Sequence, residues 1–525
     1  MVMHRMRIQL LCKEGRKYFT KRTCLLLIKT LVKIQLIKTI NIDGGNIMKR
    51  IICLILCILI LASSLIACKN VGDTAETEES TVEITEKDMS NVCEVPDTDE
   101  WKGREFRTWT NTYTKTDMVS DGINGEVLND AIFKRNTMVE TKYGIKMTSF
   151  EGKNLSSVVA AGEDAFDLYG GRYTAMNEAL LNGIPLDIDK LAYMAPEKAW
   201  WNTKLIDSFE IGGKKMVFSG DFSQRIMDYT WSIIVNKRMA GEQNIADEIY
   251  TTVREGEWTI EKLKQNCINV TTNSNGDAVL DHHDTWGFLS SKNVAVALMM
   301  SSDIKTVVKD SKGSLKFNLN NATVLDKLEE IWEFSSDGSF QLKAHNIKTS
   351  GNIFTEVVKI FNEGRALYQA RVMTDVRTSA SKVKDDYALI PLPKYDEDQE
   401  NYISTFQAHS VACYIVPRTV ADTDYVSAVI EYMSYVSTDT IRAAYYDTVL
   451  QGRAAKDADS MEMLDMIFET SETDIGLHLG VASMRDFMDK ILNSDTNVLS
   501  SEIANRTEKV NTELFKYENS VKIWG

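Results

Sequence analysis

One polar stretch of the sequence spaces its oxygen-bearing side chains as calcium-binding loops do. Counted from Asn273 to Asp284, such side chains occupy loop positions 1, 3, 5, 9 and 12, and oxygens at that spacing can surround one Ca²⁺ ion. The stretch departs from the pattern at Ala278, where glycine would make the sharp turn, and at position 12, where aspartate replaces glutamate. A polar surface turn before a strand at Trp286 remains the alternative to a structural calcium site. The candidate ligands are Asn273, Asn275, Asp277, Asp281 and Asp284.

The same stretch contains Asp281, His282 and His283 in succession, which is similar to the metal motif of a phosphoesterase family. A two-metal phosphoesterase site needs further, separate aspartate motifs, and the sequence does not show them. We therefore expect no phosphoesterase site here.

Motifs of other enzyme classes are absent from the sequence after residue 100. It has no G-x-S-x-G elbow, no H-E-x-x-H and no phosphate-binding glycine loop, and its other histidines, His345, His409 and His478, are scattered. We expect that the protein is not an enzyme. A glycosidase needs only two carboxylates about 5–10 Å apart, so the many acidic residues leave that class open. A surface adhesin is the other open alternative.

The residues from Met48 to Cys68 predict where this chain folds and works. Lys49 and Arg50 form a short positive region, and the 17 residues from 51 to 67 are uncharged and mostly apolar, as in a secretory signal peptide. The last four residues, Leu-Ile-Ala-Cys, resemble a bacterial lipobox, in which the cysteine is lipidated and becomes the new N-terminus. Because the apolar run is at the short end of membrane-spanning lengths, an uncleaved transmembrane anchor remains the alternative.

The segments on either side of the predicted signal peptide, 48–67, do not resemble folded domains. Residues 1–47 are basic and precede a second plausible initiator at Met48. We interpret them as a mis-assigned N-terminal extension, with a membrane-surface amphipathic helix as the alternative. Residues 68–100 are rich in acids, serine and threonine, and such a composition buries too little apolar surface to offset the entropy of ordering. We predict an acidic flexible tether there.

The charge of the exported part excludes one class of partner. The 525-residue chain has 60 Lys+Arg and 75 Asp+Glu, and without residues 1–67 these counts become 48 and 73, a net charge of −25 over 458 residues. Binding of a nucleic acid requires a basic surface, so we expect no nucleic-acid partner. The length is sufficient for two or three domains, and we expect a monomer.

Strand-like and helical segments alternate after residue 101, which predicts an α/β fold with a parallel sheet. Ligands of such sheets bind at the carboxyl ends of the strands, which is where Trp109, Tyr169 and Arg172 would lie. The alternating segments are 103–109, 145–150 and 166–169 as strands, and 126–143, 155–161 and 174–181 as helices.

Four phrases in the middle of the chain occur in the order seen in family 1 extracellular solute-binding proteins, the sugar receptors of ABC importers. In that family a segment similar to the first phrase crosses from lobe one to lobe two. An apolar strand ending in Asn-Lys follows, and a Trp-Thr turn caps the next helix, where Thr259 can be the N-cap. The phrases are GKKMVF at 213–218, Asp221, TWSIIVNK at 230–237 and GEWTIEKL at 256–263.

The resemblance continues to about residue 470. EGRALYQ at 363–369 resembles a helix followed by a strand whose end reaches the ligand cleft, and YALIPLP at 387–393 resembles the phrase before the return crossing. Residues 409–417 resemble the strand that rejoins lobe one. The resemblance therefore covers most of the body, through loose motifs in a specific order.

The resemblance implies an α/β fold of the two-lobed periplasmic-binding-protein type (type II). Each lobe would be a mainly parallel sheet flanked by helices, with the ligand cleft between the lobes. Lobe one would comprise 101–220 and 403–438, and lobe two would comprise 221–402 and 439–525. Carry-over from the family implies a set of ligand-binding residues at the cleft, namely Trp109, Tyr169, Arg172, Asp221, Gln369, Arg371 and Gln407.

The function of that family follows as an expectation. The protein would be a lipid-anchored receptor on the extracellular face of the bacterial cytoplasmic membrane. It would capture a mono- or oligosaccharide by hinged closure and deliver it to the permease subunits of an ABC importer. Aromatic rings can pack on the C–H faces of a sugar, while carboxylate, amide and guanidinium groups bind its hydroxyls. Such capture requires no cofactor.

Overall fold

The computed structural model of this chain describes residues 92–120, 122–277, 279–408, 410–450 and 458–524. The predicted extension, the signal peptide, the lipidation site Cys68 and most of the tether lie outside the described residues, so they stay predictions. The end of the predicted tether is described, and Cys93 and Val95 pack, partly buried, against the core of lobe one. Among the described helices, none combines the length and the apolar character that crossing a membrane requires.

The described residues form thirteen strands and nineteen α-helices. The strands are β1 (Glu105–Trp109), β2 (Lys146–Phe150), β3 (Leu168–Arg172), β4 (Trp231–Asn236), β5 (Trp286–Ser290), β6 (Val307–Lys309), β7 (Leu315–Phe317), β8 (Gln341–Lys343), β9 (Ala366–Val372), β10 (Tyr387–Ile390), β11 (Ser404–Thr405), β12 (Ala412–Ile415) and β13 (Ser471–Glu472). The helices are α1 (Lys115–Met118), α2 (Val127–Tyr143), α3 (Leu155–Ala160), α4 (Tyr173–Leu181), α5 (Thr203–Ser208), α6 (Gln224–Asp228), α7 (Lys237–Glu242), α8 (Ile249–Arg254), α9 (Ile260–Ile268), α10 (Lys292–Ser301), α11 (Ala322–Ser336), α12 (Ile353–Asn362), α13 (Met373–Ser379), α14 (Thr423–Ser437), α15 (Ala443–Val449), α16 (Ala458–Glu469), α17 (Ile475–His478), α18 (Met484–Ile491) and α19 (Leu499–Trp524). Short 3₁₀ turns lie at Ile188–Lys190, Ala344–Asn346, Ala380–Lys382 and Val481–Ser483, and Thr438–Arg442 is π-helical.

Lobe one contains a four-stranded sheet in the order β12-β3-β1-β2. β1 pairs in parallel with both β2 and β3, because α2 and α3 bring the chain back across the sheet between successive strands. β12, which comes from a later part of the chain, pairs with β3 in the antiparallel sense. The parallel α/β arrangement predicted for the first part of the body is confirmed.

Lobe two contains a five-stranded sheet in the order β10-β4-β9-β5-β8. β5 is parallel to β9 and β8, whereas β4 is antiparallel to both of its neighbours. β4 starts directly from the segment that arrives from lobe one and runs away from that lobe. β9 returns, so that Val372 at its end lies opposite Trp231 at the start of β4. This sheet is therefore evenly mixed between parallel and antiparallel pairings.

Two of the described segments that connect the lobes lie next to each other. The first crossing, 219–230, includes α6, and the second, 403–411, leads back into β12. They are bound side by side through antiparallel bridges of Phe218 with Tyr414 and of Thr230 with Phe406. A pair of adjacent crossings is the geometry from which two lobes can open and close as a hinge.

The C-terminal helices contact both lobes. α15 packs against α2 and α13, and the 26-residue helix α19 contacts α4 as well as α11 and β7. The lobe boundaries at residues 220, 402 and 438 stay predictions.

Candidate functional site

The loop that follows β1 is held in a fixed shape at the carboxyl ends of the lobe-one strands. The Asn111 side-chain oxygen accepts hydrogen bonds from the backbone N–H groups of Tyr113 (2.9 Å) and Thr114 (3.0 Å). The Thr114 hydroxyl then donates to the carbonyl oxygen of Gly170 in β3 (2.8 Å). Asparagine in this role stabilises a tight turn, so the turn and β3 together position the Tyr113 ring.

The Tyr113 ring contacts two guanidinium groups and a second phenol. The Arg172 guanidinium lies 4.4 Å from the ring centroid and that of Arg225 lies 4.8 Å from it. The Tyr229 ring is 5.7 Å away, centroid to centroid. Arg172 comes from the end of β3, whereas Arg225 and Tyr229 come from the first crossing. We call Tyr113, Arg172, Arg225 and Tyr229 the cleft cluster.

The guanidinium of Arg172 is the part of this cluster that is accessible to a ligand. The residue is exposed, and among the described residues no acceptor receives a hydrogen bond from its side chain. Its contact with Tyr113 is a cation–π interaction, which leaves the N–H groups at the guanidinium edge directed away from the ring. A ligand that offers hydroxyl or carboxylate oxygens can therefore bind Arg172 while a phenol ring covers its apolar face.

A buried carboxylate fixes the backbone behind the cluster. Asp117 accepts hydrogen bonds from the Ser223 hydroxyl (2.6 Å), the Tyr414 hydroxyl (2.5 Å) and the backbone N–H of Arg225 (3.2 Å). Burial raises the pKa of Asp117 to about 6, although these bonds favour the charged form. Asp117 thus joins the loop after β1, the first crossing and β12 at one point.

The predicted residue Gln407 lies on the second crossing, next to this cluster. Its backbone N–H donates to the Tyr229 carbonyl oxygen (2.7 Å). Its side chain lines a small space of about 20 Å³ together with Trp231 and Arg485, which is room for about one water molecule. Arg485 also donates a hydrogen bond to the hydroxyl of Tyr173, at the start of α4.

Two predicted aromatic residues lie beneath the strand ends and not at the cluster. Trp109 is 5% exposed and packs edge-on against Phe166 and Tyr169. The chain passes so close to its indole that a Cβ added at Gly152 would lie 2.3 Å from the ring. Trp109 and Tyr169 are therefore core residues of lobe one. Trp109 ends β1 as predicted, whereas Tyr169 is the second residue of β3 and does not end it.

Gln369 and Arg371 lie inside lobe two, each 2% exposed. Arg371 Nε donates to Gln369 Oε1 (2.7 Å), Nη1 to Ser379 Oγ (2.7 Å), and Nη2 to Asn362 Oδ1 (2.9 Å). Burial lowers the pKa of Arg371 to about 10. The structure does not bring this pair to the cleft cluster.

Asp221 lines a separate cavity of about 380 Å³ beside the crossings. Its Oδ2 accepts a hydrogen bond from the Thr438 hydroxyl (2.7 Å), and its Oδ1 lies 3.7 Å from Arg442 Nη1. Burial raises the pKa of Asp221 to about 6, against the opposing effect of Arg442. We call this space the hinge cavity; its lining includes Trp201, Asp221, Ile226, Phe406 and Arg442.

The stretch with calcium-loop spacing is held together by its own hydrogen bonds. The fully buried Asp284 accepts from the backbone N–H of Ser274 through Oδ1 and from that of Asp281 through Oδ2, both at 2.8 Å. Asn273 Oδ1 accepts from Gly276 N–H (2.8 Å). A Ca²⁺ ion requires free oxygens at its last ligand position, so the donor set fits calcium poorly. Asn275 and Asp277 also bond to each other (2.8 Å).

Asp281, His282 and His283 each offer one ligand atom within 4.8 Å of the other two. The Asp281 carboxylate accepts from the backbone N–H of His283 (2.8 Å) and contacts its Nδ1 (3.0 Å). The backbone N–H of His283 lowers the pKa of Asp281. The carboxylate is thus already engaged by its own loop.

Three members of the cleft cluster were not predicted from the sequence. Tyr113 is four residues beyond Trp109, in the loop that must follow a strand whose carboxyl end faces a ligand. Arg225 and Tyr229 are four residues apart in the first crossing, a spacing that places both on one face of a helical turn. The place of Tyr113 in that loop and the four-residue spacing of Arg225 and Tyr229 are the sequence features from which these residues could have been predicted.

Comparisons with protein families and with curated proteins find no match. Solved structures do resemble the chain. A cyclic α-maltosyl-1,6-maltose binding protein from Arthrobacter globiformis has a TM-score of 0.51 at 11% identity, over 79% of this chain and 100% of that one. M. tuberculosis UspC has a TM-score of 0.51 at 11% identity, over 78% and 99%. The two-lobed α/β fold predicted from the sequence is confirmed by these likenesses.

Proposed function

We propose that this chain, which has the two-lobed fold of ABC solute-binding proteins, is a receptor that captures a carbohydrate between its lobes and delivers it to an ABC importer. The observation that carries the proposal is the cleft cluster. It combines an open guanidinium and a phenol at the carboxyl ends of the lobe-one strands with an arginine and a second phenol of the first crossing. In α/β sheets such strand ends are where ligands bind.

The chemistry of the cluster suits a sugar. A pyranose has apolar C–H faces, which pack on the rings of Tyr113 and Tyr229, and hydroxyls, which bind the Arg172 guanidinium and the amide of Gln407. Each such contact contributes roughly 1–3 kcal/mol when water is excluded. The Arthrobacter protein of the same fold binds a cyclic maltose-containing sugar.

Hinged closure is the part of the proposal that involves lobe two. The cluster belongs to lobe one and to the first crossing, which Asp117 joins, so a bound solute stabilises one angle between the lobes when it also contacts lobe two. Capture of this kind needs no bond to be made or broken, and the proposed receptor is not an enzyme. Sugar should stabilise the protein without being hydrolysed.

Anchoring and location form the remaining part of the proposal. Cys68 would carry the lipid, the acidic segment that precedes Cys93 would tether the body to the outer face of the membrane, and the permease subunits would be the protein partners. Replacement Cys68→Ala should release the protein into the medium or stall its processing. Normal surface retention and unchanged migration of this variant would argue against lipidation.

The deciding experiment is a thermal-shift screen over mono- and oligosaccharides, followed by calorimetry. A ligand at about 100 times its dissociation constant should add about 2.7 kcal/mol of stability. Arg172→Ala should abolish most of that shift. Arg104→Ala is the matched control, because Arg104 also stacks on a tyrosine, Tyr425, at the other end of β1 (3.7 Å).

Small-angle X-ray scattering tests the hinge. The wild type should become more compact when the selected sugar saturates it. Tight binding with an unchanged radius of gyration, together with full affinity in Arg172→Ala, would overturn the proposal.

A further inference from the structure

The hinge cavity lies on the other side of α6 from the cleft cluster. Arg225 and Tyr229 belong to the cluster, whereas Ile226, Met227 and Thr230 line the cavity. In a helical turn these two sets of positions point in different directions. The cavity is therefore a separate space that shares the first crossing with the cleft.

The walls of this cavity are largely apolar and rigid. Trp201, Phe406, Ile226 and Met227 are each less than a tenth exposed. The indole N–H of Trp201 donates to the buried carboxylate of Glu431 (2.8 Å), which fixes the ring. A volume of about 380 Å³ is within the ~300–1,000 Å³ range of small-molecule pockets.

One end of the cavity holds polar groups whose bonding capacity is not used up. Among the described residues, the Arg442 guanidinium donates one hydrogen bond, to the Tyr446 hydroxyl (3.1 Å). It is 3.7 Å from Asp221 and from Asp465, and 3.9 Å from Glu469. These distances are too long for direct hydrogen bonds. Donors of Arg442 and Oδ1 of Asp221 thus face the same space.

The charges around the cavity balance. Its lining contains three acids and three bases, so neither a cation nor an anion is favoured by net charge. A ligand with hydroxyl groups can accept from Arg442 and donate to Asp221 at once, and its C–H groups can pack on the apolar walls. The six charged lining residues are Glu197, Lys198, Lys204, Asp221, Arg442 and Glu469.

We propose that the hinge cavity is a second ligand site, which takes a small neutral hydroxylated molecule such as a polyol or a mono- or disaccharide. Both crossings contribute to its walls through Gly220–Thr230 and Phe406, so its shape changes whenever the hinge moves. Resting on the proposed function, occupancy here alters the affinity of the cleft, and a cleft ligand alters the affinity of this site by the same factor.

The test uses a protein whose cleft is disabled, the double variant Tyr113→Ala/Arg172→Ala. Calorimetry with glucose, maltose and myo-inositol as probes should show binding of at least one of them at a single site. Ala199→Trp should weaken that binding at least tenfold, because Ala199 is an exposed residue of the cavity rim. Ala161→Trp, a substitution of another exposed alanine outside the cavity, should leave it within twofold.

A second variant tests whether the charged groups are needed for binding. Asp221→Asn/Arg442→Gln removes both charges without adding a side chain that would fill the cavity, and it should also weaken binding at least tenfold. Glucosamine and glucuronate, a cation and an anion of similar size, should bind more weakly than glucose. The proposal is overturned if no neutral probe binds the cleft-disabled protein, if Ala199→Trp leaves the affinity unchanged, or if a charged probe binds best. Because the cleft is disabled, these outcomes do not depend on the proposed receptor function.

Discussion

Arg172 and Arg371 were both predicted for the cleft, and the structure gives them opposite environments. Arg172 is exposed, lies on a phenol ring, and has no described acceptor for its N–H groups. Arg371 is buried and donates to Gln369, Ser379 and Asn362. A guanidinium whose donors are all used inside the protein stabilises the fold, whereas one with open donors can bind a ligand. Burial and the number of hydrogen-bond acceptors around each guanidinium both distinguish the two arginines.

The largest expected effect of this contrast is on stability. Arg371→Met should lower the free energy of unfolding by at least about 3 kcal/mol, because it leaves several buried acceptors and donors without partners. Arg172→Met should lower it by less than about 1 kcal/mol, since an exposed side chain with one ring contact contributes little. Urea unfolding of both variants measures the difference. Equal losses would remove the distinction between the two arginines.

Ligand affinity should show the reverse order. Once a sugar is identified, Tyr113→Ala and Arg172→Met should each reduce its affinity by about 5- to 150-fold, which corresponds to roughly 1–3 kcal/mol. Calorimetry on the folded variants gives these values directly. If the sugar instead loses no affinity in either variant, it binds elsewhere and the cleft cluster is structural.

The end of β1 could be predicted from sequence, but the direction of its last side chain could not. The structure extends β3 to Arg172, beyond the predicted end at Tyr169, whereas Trp109 does end β1. Its indole points to the interior because β2 and the chain near Gly152 cover that face. The residue that reaches the cleft comes four positions later, after a turn fixed by Asn111.

Contacts between distant parts of the chain could not be predicted from the sequence. Gln369 and Arg371 are two apart and so share a face of β9, yet all seven residues of this central strand are buried, and no single sequence shows which helices cover it. The contact of Tyr113 with Arg225 joins residues more than a hundred positions apart. Such pairs depend on how the crossings pack, which local periodicity does not encode.

The buried carboxylate of Glu431 should make the stability of the protein depend on pH. Glu431 accepts hydrogen bonds from both indoles, Trp200 (2.9 Å) and Trp201 (2.8 Å), and from the backbone of Ala195. Burial nevertheless raises its pKa from 4.5 to about 7. Between about pH 4.5 and 7 the unfolded chain has lost this proton while the folded protein keeps it. The free energy of unfolding should therefore fall as pH rises through this window, by roughly 1–3 kcal/mol from this group.

Glu431→Gln should reduce the change in the free energy of unfolding between pH 5 and pH 7. Urea unfolding at the two pH values measures this change. Asp117 and Asp221, whose pKa values burial raises to about 6, have the same sign, so part of the slope should remain. The exposed Glu163→Gln is the control and should leave the slope as in the wild type, because Glu163 is not among the groups that shift the pKa of Glu431. A wild-type protein that becomes more stable from pH 5 to pH 7 would contradict this assignment.

The smallest expected effect concerns the stretch from Asn273 to Asp284, where the same reasoning about used and unused acceptors applies to carboxylates. Both oxygens of Asp284 already accept backbone N–H groups, and a calcium ion would have to displace them, each at a cost of about 1 kcal/mol or more. The oxygens of Asn273 and Asp277 likewise close turns of the loop itself. We therefore expect that millimolar calcium, or its removal by a chelator, shifts the unfolding midpoint by less than ~1 °C, a stability change of a few tenths of a kcal/mol. Asp277→Ala should respond in the same way as the wild type. A clear stabilisation by calcium that Asp277→Ala abolishes would restore the calcium site that the spacing predicts, and would show that the loop exchanges its internal hydrogen bonds for metal ligands.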